Sequence, residues 1–463
     1  KRTGERGERT PLVCEDVSEH GVDSSKGRSS FAAARDSCQA LHKKVSKCFY
    51  NPFSSDNPEN GGGATIVLLI NTMIGSGILN QPYVFSQAGI GATLIIYAIT
   101  AYATWLGLVL LIRAGTKAKS MDLSDLAGYC FGDVGDKLTD IFVAVGNFGA
   151  LLSYLTVIGG EASEMLGEIG DLSGSDMVKE FGKIQIILPI IVVLFSLPLC
   201  LTRLYGHFVM ISTISIFSIT CVMGLVLFYG PIAGSNYQDE PVVWFNFLGA
   251  VEELGSTVFA FACSYAVFHA YNSMDPGSQK GFDKLAGVTV MIGAFMCLVT
   301  GLAGYLCFRS HTEGDILDNF TGPAFYFFRL LLIVHLLLYI PLDFVVMRYS
   351  FLKLFKLDAA DLHWFPYTLV TVALLFVTTF VVVVLYDEGL SEGDAFDYIL
   401  DFFGGLTGSY LGYILPAISF LYLAKNAEDP WTLFQAKVLL VWGVLVILFV
   451  PAYSLYNLIE SIL

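Results

Sequence analysis

The sequence predicts an all-α polytopic membrane protein. It would have eleven transmembrane helices: ten in two inverted five-helix units, a 5+5 inverted repeat, and one extra C-terminal helix. Three observations predict this. Of 463 residues, 55% are hydrophobic and only 14% are charged, with a mean hydropathy of +0.64, the balance of a membrane-embedded chain rather than of soluble domains. Eleven apolar runs follow a polar leading segment, each long enough to cross ~30 Å of hydrocarbon as a helix. Two of these runs, the first and the sixth, are interrupted at mid-span by small polar residues, and they run in opposite directions through the bundle.

Residues 1–60 carry serine, glycine and mixed charge and read as a disordered cytoplasmic tail. Within them Ala34, Leu41, Val45 and Phe49 recur at roughly helical spacing, so an interfacial helix over 31–53 is one reading, with Cys48 as a palmitoylation candidate. Residues 61–463 read as one membrane domain, divided into a first repeat at 61–230, a second at 249–424 and the extra helix at 433–459. The expected spans are 64–87, 90–113, 137–160, 184–202, 207–230, 249–273, 285–308, 323–347, 364–386, 397–424 and 433–459.

Charge sets the orientation. With the tail inside, Arg113, Lys117, Lys119, Lys137, Lys280 and Lys353 fall on the tail side, and only Lys179, Lys183, Arg309 and Arg329 fall opposite. That asymmetry puts the N-terminus in the cytoplasm and the C-terminus outside the cell or in a lumen, in a plasma membrane or a vacuolar or lysosomal one. The acidic residues gather opposite the tail, in Glu161 to Glu180, Asp239 to Glu253, Glu313 to Asp318 and Asp387 to Asp401. They read as a solvated outer surface and account for most of the net charge of −15.

Several function classes fall away. No basic patch with interleaved aromatics points to nucleic acid. The nine cysteines show no metal-ligand spacing and no CxxC. No HExxH, catalytic Cys-His pattern or nucleotide loop points to an enzyme, and no cofactor is expected. The expected partners are a small-molecule substrate and the bilayer, with the chain monomeric.

The first span contains Asn71-Thr72-Met73-Ile74-Gly75-Ser76-Gly77-Ile78-Leu79. Glycines weaken a helix, and an unwound backbone in lipid is tolerable only beside protein or a water-filled cavity. A break at Gly75-Ser76-Gly77 is therefore expected. The sixth span is interrupted at Ala262-Cys263-Ser264. Two interrupted spans in corresponding positions of inverted units point to a transporter site at mid-membrane. Close packing by small residues is the simpler alternative for the glycines.

The residues also carry a family resemblance. Asn71 to Leu79, the segment Leu123-Ser124-Asp125-Leu126-Ala127 with Phe131-Gly132, the run Gly149 to Leu155 with Ile158-Gly159-Gly160, and the pair Pro341 and Arg348 resemble the amino acid/auxin permeases. Within them the chain is similar to the branch of sodium-coupled neutral amino acid transporters, over about residues 61–424. The resemblance implies the LeuT-like/APC fold and secondary active transport of small neutral L-amino acids by alternating access, coupled to protons or sodium. A membrane sensor signalling through the tail is the alternative.

A free amino acid brings two charges into a dry place, and both need partners. The half-helix starting near Ser76 would offer free N–H groups of Ser76, Gly77 and Ile78 to the carboxylate, with Gly75 allowing close approach. Carbonyls near Thr72-Met73 and Phe261 and the Ser264 hydroxyl would meet the ammonium, with Tyr265, Tyr154 and Phe259 as further lining. By resemblance Asn71 stands at a sodium site, completed in relatives by a threonine on the eighth span. Here Leu337 takes that place, with Tyr339 at the next polar position, and a leucine side chain gives no oxygen to a hard cation. Protons are the alternative. Ionisable residues inside spans are functional suspects, and His335, Tyr339 and Asp343 follow one another along one helix face. Asp343 could instead pair with a tail-side Lys or Arg, and His335 or His269 could be packing residues. Asn319-Phe320-Thr321 forms a glycosylation sequon.

Overall fold

The computed structural model describes residues 62–201, 208–357, 362–387, 391–424 and 429–462. The expected tail at 1–60, its interfacial helix and Cys48 lie outside the described residues. Among the described residues, ten helices are long and apolar enough to cross a membrane, or eleven if one bent pair counts as a single span.

That bent pair is span 1. Its halves, Gly62–Ile74 and Gly77–Ala88, meet at 54°. Span 2 is Ile90–Ala118, span 3 Leu123–Ser173, span 4 Ile184–Leu201, span 5 Ile214–Ala233 and span 6 Leu254–Asn272. Span 7 is Phe282–His311, span 8 Pro323–Leu354, span 9 Trp364–Asp387, span 10 Glu392–Leu423 and span 11 Pro430–Ser461. Each expected apolar run has its helix.

Span 3 starts earlier than hydropathy indicated. Asp122 caps it by accepting from the backbone N–H groups of Ser124 and Asp125, both at 3.0 Å. The chain then turns at Gly132, whose φ of +70° only glycine adopts readily, and continues through the membrane. The segment from Leu123 to Phe131 is thus the first arm of a kinked helix.

Burial separates centre from rim. The apolar windows of spans 2, 3, 6 and 10 are 61–67% buried, against 28–33% for spans 4, 5, 9 and 11. The rim spans expose Phe195, Phe228, Phe376 and Phe449, as lipid-facing helices do. Span 3 packs along span 8, and span 7 along the second half of span 1, so the centre brings together the two interrupted spans and spans 3, 8 and 10.

One sequence expectation fails here. The acidic residues opposite the tail are not all solvated: Glu161, Glu253, Asp315, Asp397 and Asp401 are buried. Hydropathy treats a carboxylate as water-seeking, whereas helix packing can enclose it when a partner is supplied. Arg329, read from sequence as an outer loop-end charge, is that partner for Glu161 (2.8 Å) and also reaches Glu164 (2.7 Å). Arg348 is likewise buried, donating to the Cys200 carbonyl at 3.0 Å and to Thr371 Oγ1 at 2.8 Å.

Candidate functional site

The break in span 1 is two residues long, Gly75 and Ser76. The half-helix after it begins at Gly77, where first-turn N–H groups lack the usual partner four residues back; that of Leu79 turns to the Ser76 carbonyl at 3.0 Å. Span 6 breaks over Phe261 to Cys263, recovers as a 3₁₀ turn at Ser264–Ala266, and resumes as Val267–Asn272. The two breaks face one cavity of ≈ 50 Å³, room for a few waters by the usual measure of roughly 10–15 Å³ each.

Of the expected substrate residues, Thr72, Met73, Gly75, Gly77, Ser264 and Tyr265 line this cavity, together with Tyr154 and Phe259. Three others do not. Ser76 is fully buried, its hydroxyl 2.8 Å from that of Ser153. The side chains of Ile78 and Phe261 are buried in the core, Phe261 edge-on to Tyr97 at 5.5 Å. These three contribute backbone at the breaks, not side chains to the cavity.

The two glycines at the break differ. A Cβ on Gly75 would meet only the Tyr154 hydroxyl, at 3.6 Å, which is ordinary contact. A Cβ on Gly77 would press on the Ala260 backbone at 3.0 Å. Gly77 therefore also serves the close packing of spans 1 and 6.

Sequence reasoning missed the rest of the wall. Gly146, Asn147 and Ala150 of span 3, and Thr407, Gly408, Leu411 and Gly412 of span 10, complete it. The span 10 residues sit in two π-helical stretches, Gly404–Gly408 and Tyr410–Ile414, a distortion frequent at functional sites. The glycine-rich run from Gly404 to Gly412 was the available signal. Asn147 donates to the Val143 carbonyl at 2.8 Å, while its buried Oδ1 has no partner.

Behind the cavity lies a chain of hydroxyls and one carboxylate. Tyr154 donates to Asp343 Oδ2 at 2.8 Å, and Tyr265 stands close enough to the same carboxylate to interact with it electrostatically. Tyr339 donates to the Asn71 carbonyl at 3.2 Å, and its ring meets that of Tyr154 edge-on at 5.6 Å. Asp343 is buried and accepts from Tyr154, and among the described residues no Lys or Arg forms an ion pair with it. Tyr154 thus joins the cavity to the carboxylate. His335 lies beside Tyr339, ring centroids 5.9 Å apart, but its Nδ1 is 3.0 Å from the Ser215 hydroxyl of span 5. The buried Asn71 lends its carbonyl to Tyr339, on the side where the resemblance puts a cation. The Asn319 amide is engaged at both ends, donating to the His311 carbonyl at 2.7 Å and accepting from Glu313 N–H at 3.0 Å.

A helical membrane bundle with a cavity between two broken spans defines a transport protein. The chain belongs to the family described as transmembrane amino acid transporter protein, whose model matches residues 62–460. It is 26% identical over 372 residues to a Bos taurus protein provisionally named sodium-coupled neutral amino acid transporter 11, covering 80% of this chain and 77% of that one. It is 21% identical over 375 residues to vacuolar amino acid transporter 2 of Saccharomyces cerevisiae, covering 78% and 76%. Among solved structures, a manganese transporter from Eremococcus coleocola covers 86% of this chain and 94% of its own at 13% identity, with a TM-score of 0.49, too loose a likeness to argue from.

Proposed function

We propose that the protein moves small neutral L-amino acids by alternating access around the cavity at the two breaks, with the proton as coupling ion. The observation that carries this is Tyr154, which lines the cavity and donates to Asp343 Oδ2 at 2.8 Å, with Tyr265 also lining the cavity beside the same carboxylate. A substrate that displaces either hydroxyl changes the solvation of that carboxylate, and a proton on the carboxylate changes the hydroxyls that meet the substrate. This linkage is reciprocal.

Each group has a stated part. The first-turn N–H groups at Gly77 and Ile78 meet the substrate carboxylate. The Asn147 Oδ1, the Ser264 hydroxyl and carbonyls near Thr72 and Met73 meet the ammonium. Phe259, Leu411 and Met73 make the side-chain end apolar, which fits neutral substrates, and the small volume fits short ones. A sodium ion beside Asn71 would need an oxygen that Leu337 does not offer, and the Tyr339 hydroxyl already occupies the Asn71 carbonyl. The two inverted five-helix units, the cytoplasmic N-terminus and a plasma-membrane or vacuolar or lysosomal location belong to the same reading. A panel of amino acids added to the purified protein tests it by thermal shift. Alanine, serine or glycine should raise the melting temperature, and lysine or glutamate should not. No stabilisation by any neutral amino acid would contradict it.

A further inference from the structure

A second group of buried carboxyls lies outside the cavity, at the end of the bundle expected to face away from the tail. Glu253 precedes span 6, and Asp397 and Asp401 stand one turn apart on span 10; their carboxylate oxygens lie within 4.8 Å of one another. Their exposures are 1%, 6% and 2%. Among the described residues, no Lys, Arg or His forms an ion pair with them. The donors that reach them are Asn80 Nδ2 to Asp397 Oδ1 at 3.0 Å, the Ser256 hydroxyl to the same oxygen at 3.2 Å, and the Ser256 N–H to Asp401 Oδ1. Glu253 Oε2 is buried and has no hydrogen-bond partner.

The cluster is short of donors. An ionised carboxylate only accepts, so carboxyls this close can satisfy one another only if one of them carries a proton. An independent observation agrees. Asn80 is fully buried and its Nδ2 donates both to Asp397 Oδ1 at 3.0 Å and to the Gly314 carbonyl at 3.2 Å, yet its Oδ1 has no partner. A buried amide oxygen without a donor is costly, and a protonated carboxyl is the donor that the site lacks. Among the described residues, the surroundings supply no positive charge. They are Tyr83 from span 1, Glu252 ahead of span 6, and Asp394 and Tyr398 from span 10, and Asn457 of span 11 donates to Glu252.

We propose that Glu253, Asp397 and Asp401, with Asn80, form a proton-binding site separate from Asp343, in which a proton held between Glu253 and Asp397 ties the second half of span 1 to spans 6 and 10. The proton comes from the aqueous phase at that end and returns to it; no bond other than O–H is made or broken. While it is bound, Asn80 and Ser256 bridge the three spans. When it leaves, like charges share one buried space and push the spans apart. Only the role of this opening in a transport cycle rests on the transport reading; the proton site does not.

Infrared spectroscopy of the purified full chain tests the site without requiring transport. Wild type should show a protonated-carboxyl stretch that persists at neutral pH and disappears on alkalinisation. Glu253→Gln or Asp397→Asn should remove it, while Asp343→Asn should leave it. Asp401→Asn is a second near-isosteric probe should either variant fail to fold. An unchanged band in all three cluster variants, no band in wild type at neutral pH, or a band abolished by sodium or calcium at constant pH would overturn the proposal. Failure of the amino-acid panel alone would sink the transport reading and leave this site standing.

Discussion

Asp343 and the Glu253–Asp397–Asp401 group are buried to a similar depth in one bundle, but they are stabilised in opposite ways. Asp343 is a single carboxylate met by the Tyr154 hydroxyl of span 3, with Tyr265 of span 6 close by. The other group is three carboxyls with few donors and no base among the described residues. Between these extremes Glu161 shows the ordinary solution, a guanidinium at 2.8 Å. The comparison teaches that burial alone does not assign a role to a carboxyl. A paired one holds the fold, one met by hydroxyls can exchange its proton as the hydroxyls move, and a crowded group without a base must keep a proton to stay closed.

The sharpest way to break this comparison is to take away the base. Arg329→Met leaves Glu161 buried and unpaired, which should cost about 3–5 kcal/mol. The expected outcome is loss of the monodisperse peak in fluorescence-detected size-exclusion chromatography. A normal peak would mean that Glu161 is not held as described.

Next comes the cavity. Gly75→Val puts its side chain toward the Tyr154 hydroxyl and should lower uptake at least about tenfold, equivalent to ~1.4 kcal/mol, with surface biotinylation unchanged. Gly77→Val presses on the Ala260 backbone and should lower surface expression as well. If the two variants behave alike, the distinction between lining and packing glycines is wrong.

The smallest effect is a pH dependence at the loop between spans 7 and 8. Burial pushes the Asp315 carboxyl up to about 6, from an ordinary value of about 3.9. The folded state then holds a proton that the unfolded chain has released between those values. The resulting stabilisation is complete below the ordinary value and is lost as pH rises through about 6. The melting temperature should be higher at about pH 5 than at about pH 7, and Asp315→Asn should reduce the difference. An equal difference in the variant would remove Asp315 from the account.

Much of the fold was legible in the sequence, because span length and interruption by Gly75, Ser76 and Ser264 are local properties. The eleven apolar runs and both breaks could be read without knowing what packs against what. The site was legible chiefly at and beside the breaks, in Thr72, Gly75, Ser264 and Tyr265, and through the resemblance in Tyr154 of span 3. Thr407 lies in a glycine-rich run whose meaning was not read, while Gly146 and Asn147 are in an uninterrupted apolar run, and only tertiary packing brings them to the cavity. The same holds for Asp397 and Asp401. A carboxylate near a loop has the same local sequence whether it faces water or a neighbouring helix, so burial of these two was not readable.

The central claim, that Asp343 and its tyrosines couple proton movement to amino acid movement, is tested most directly in proteoliposomes. Initial uptake of a small neutral amino acid would be measured under an imposed pH gradient and, separately, under a sodium gradient, for wild type and Asp343→Asn. The account predicts uptake driven by the pH gradient in wild type, no response to sodium, and loss of the pH-driven component in the variant. Uptake driven by sodium alone, or pH-driven uptake that survives in Asp343→Asn, would contradict it.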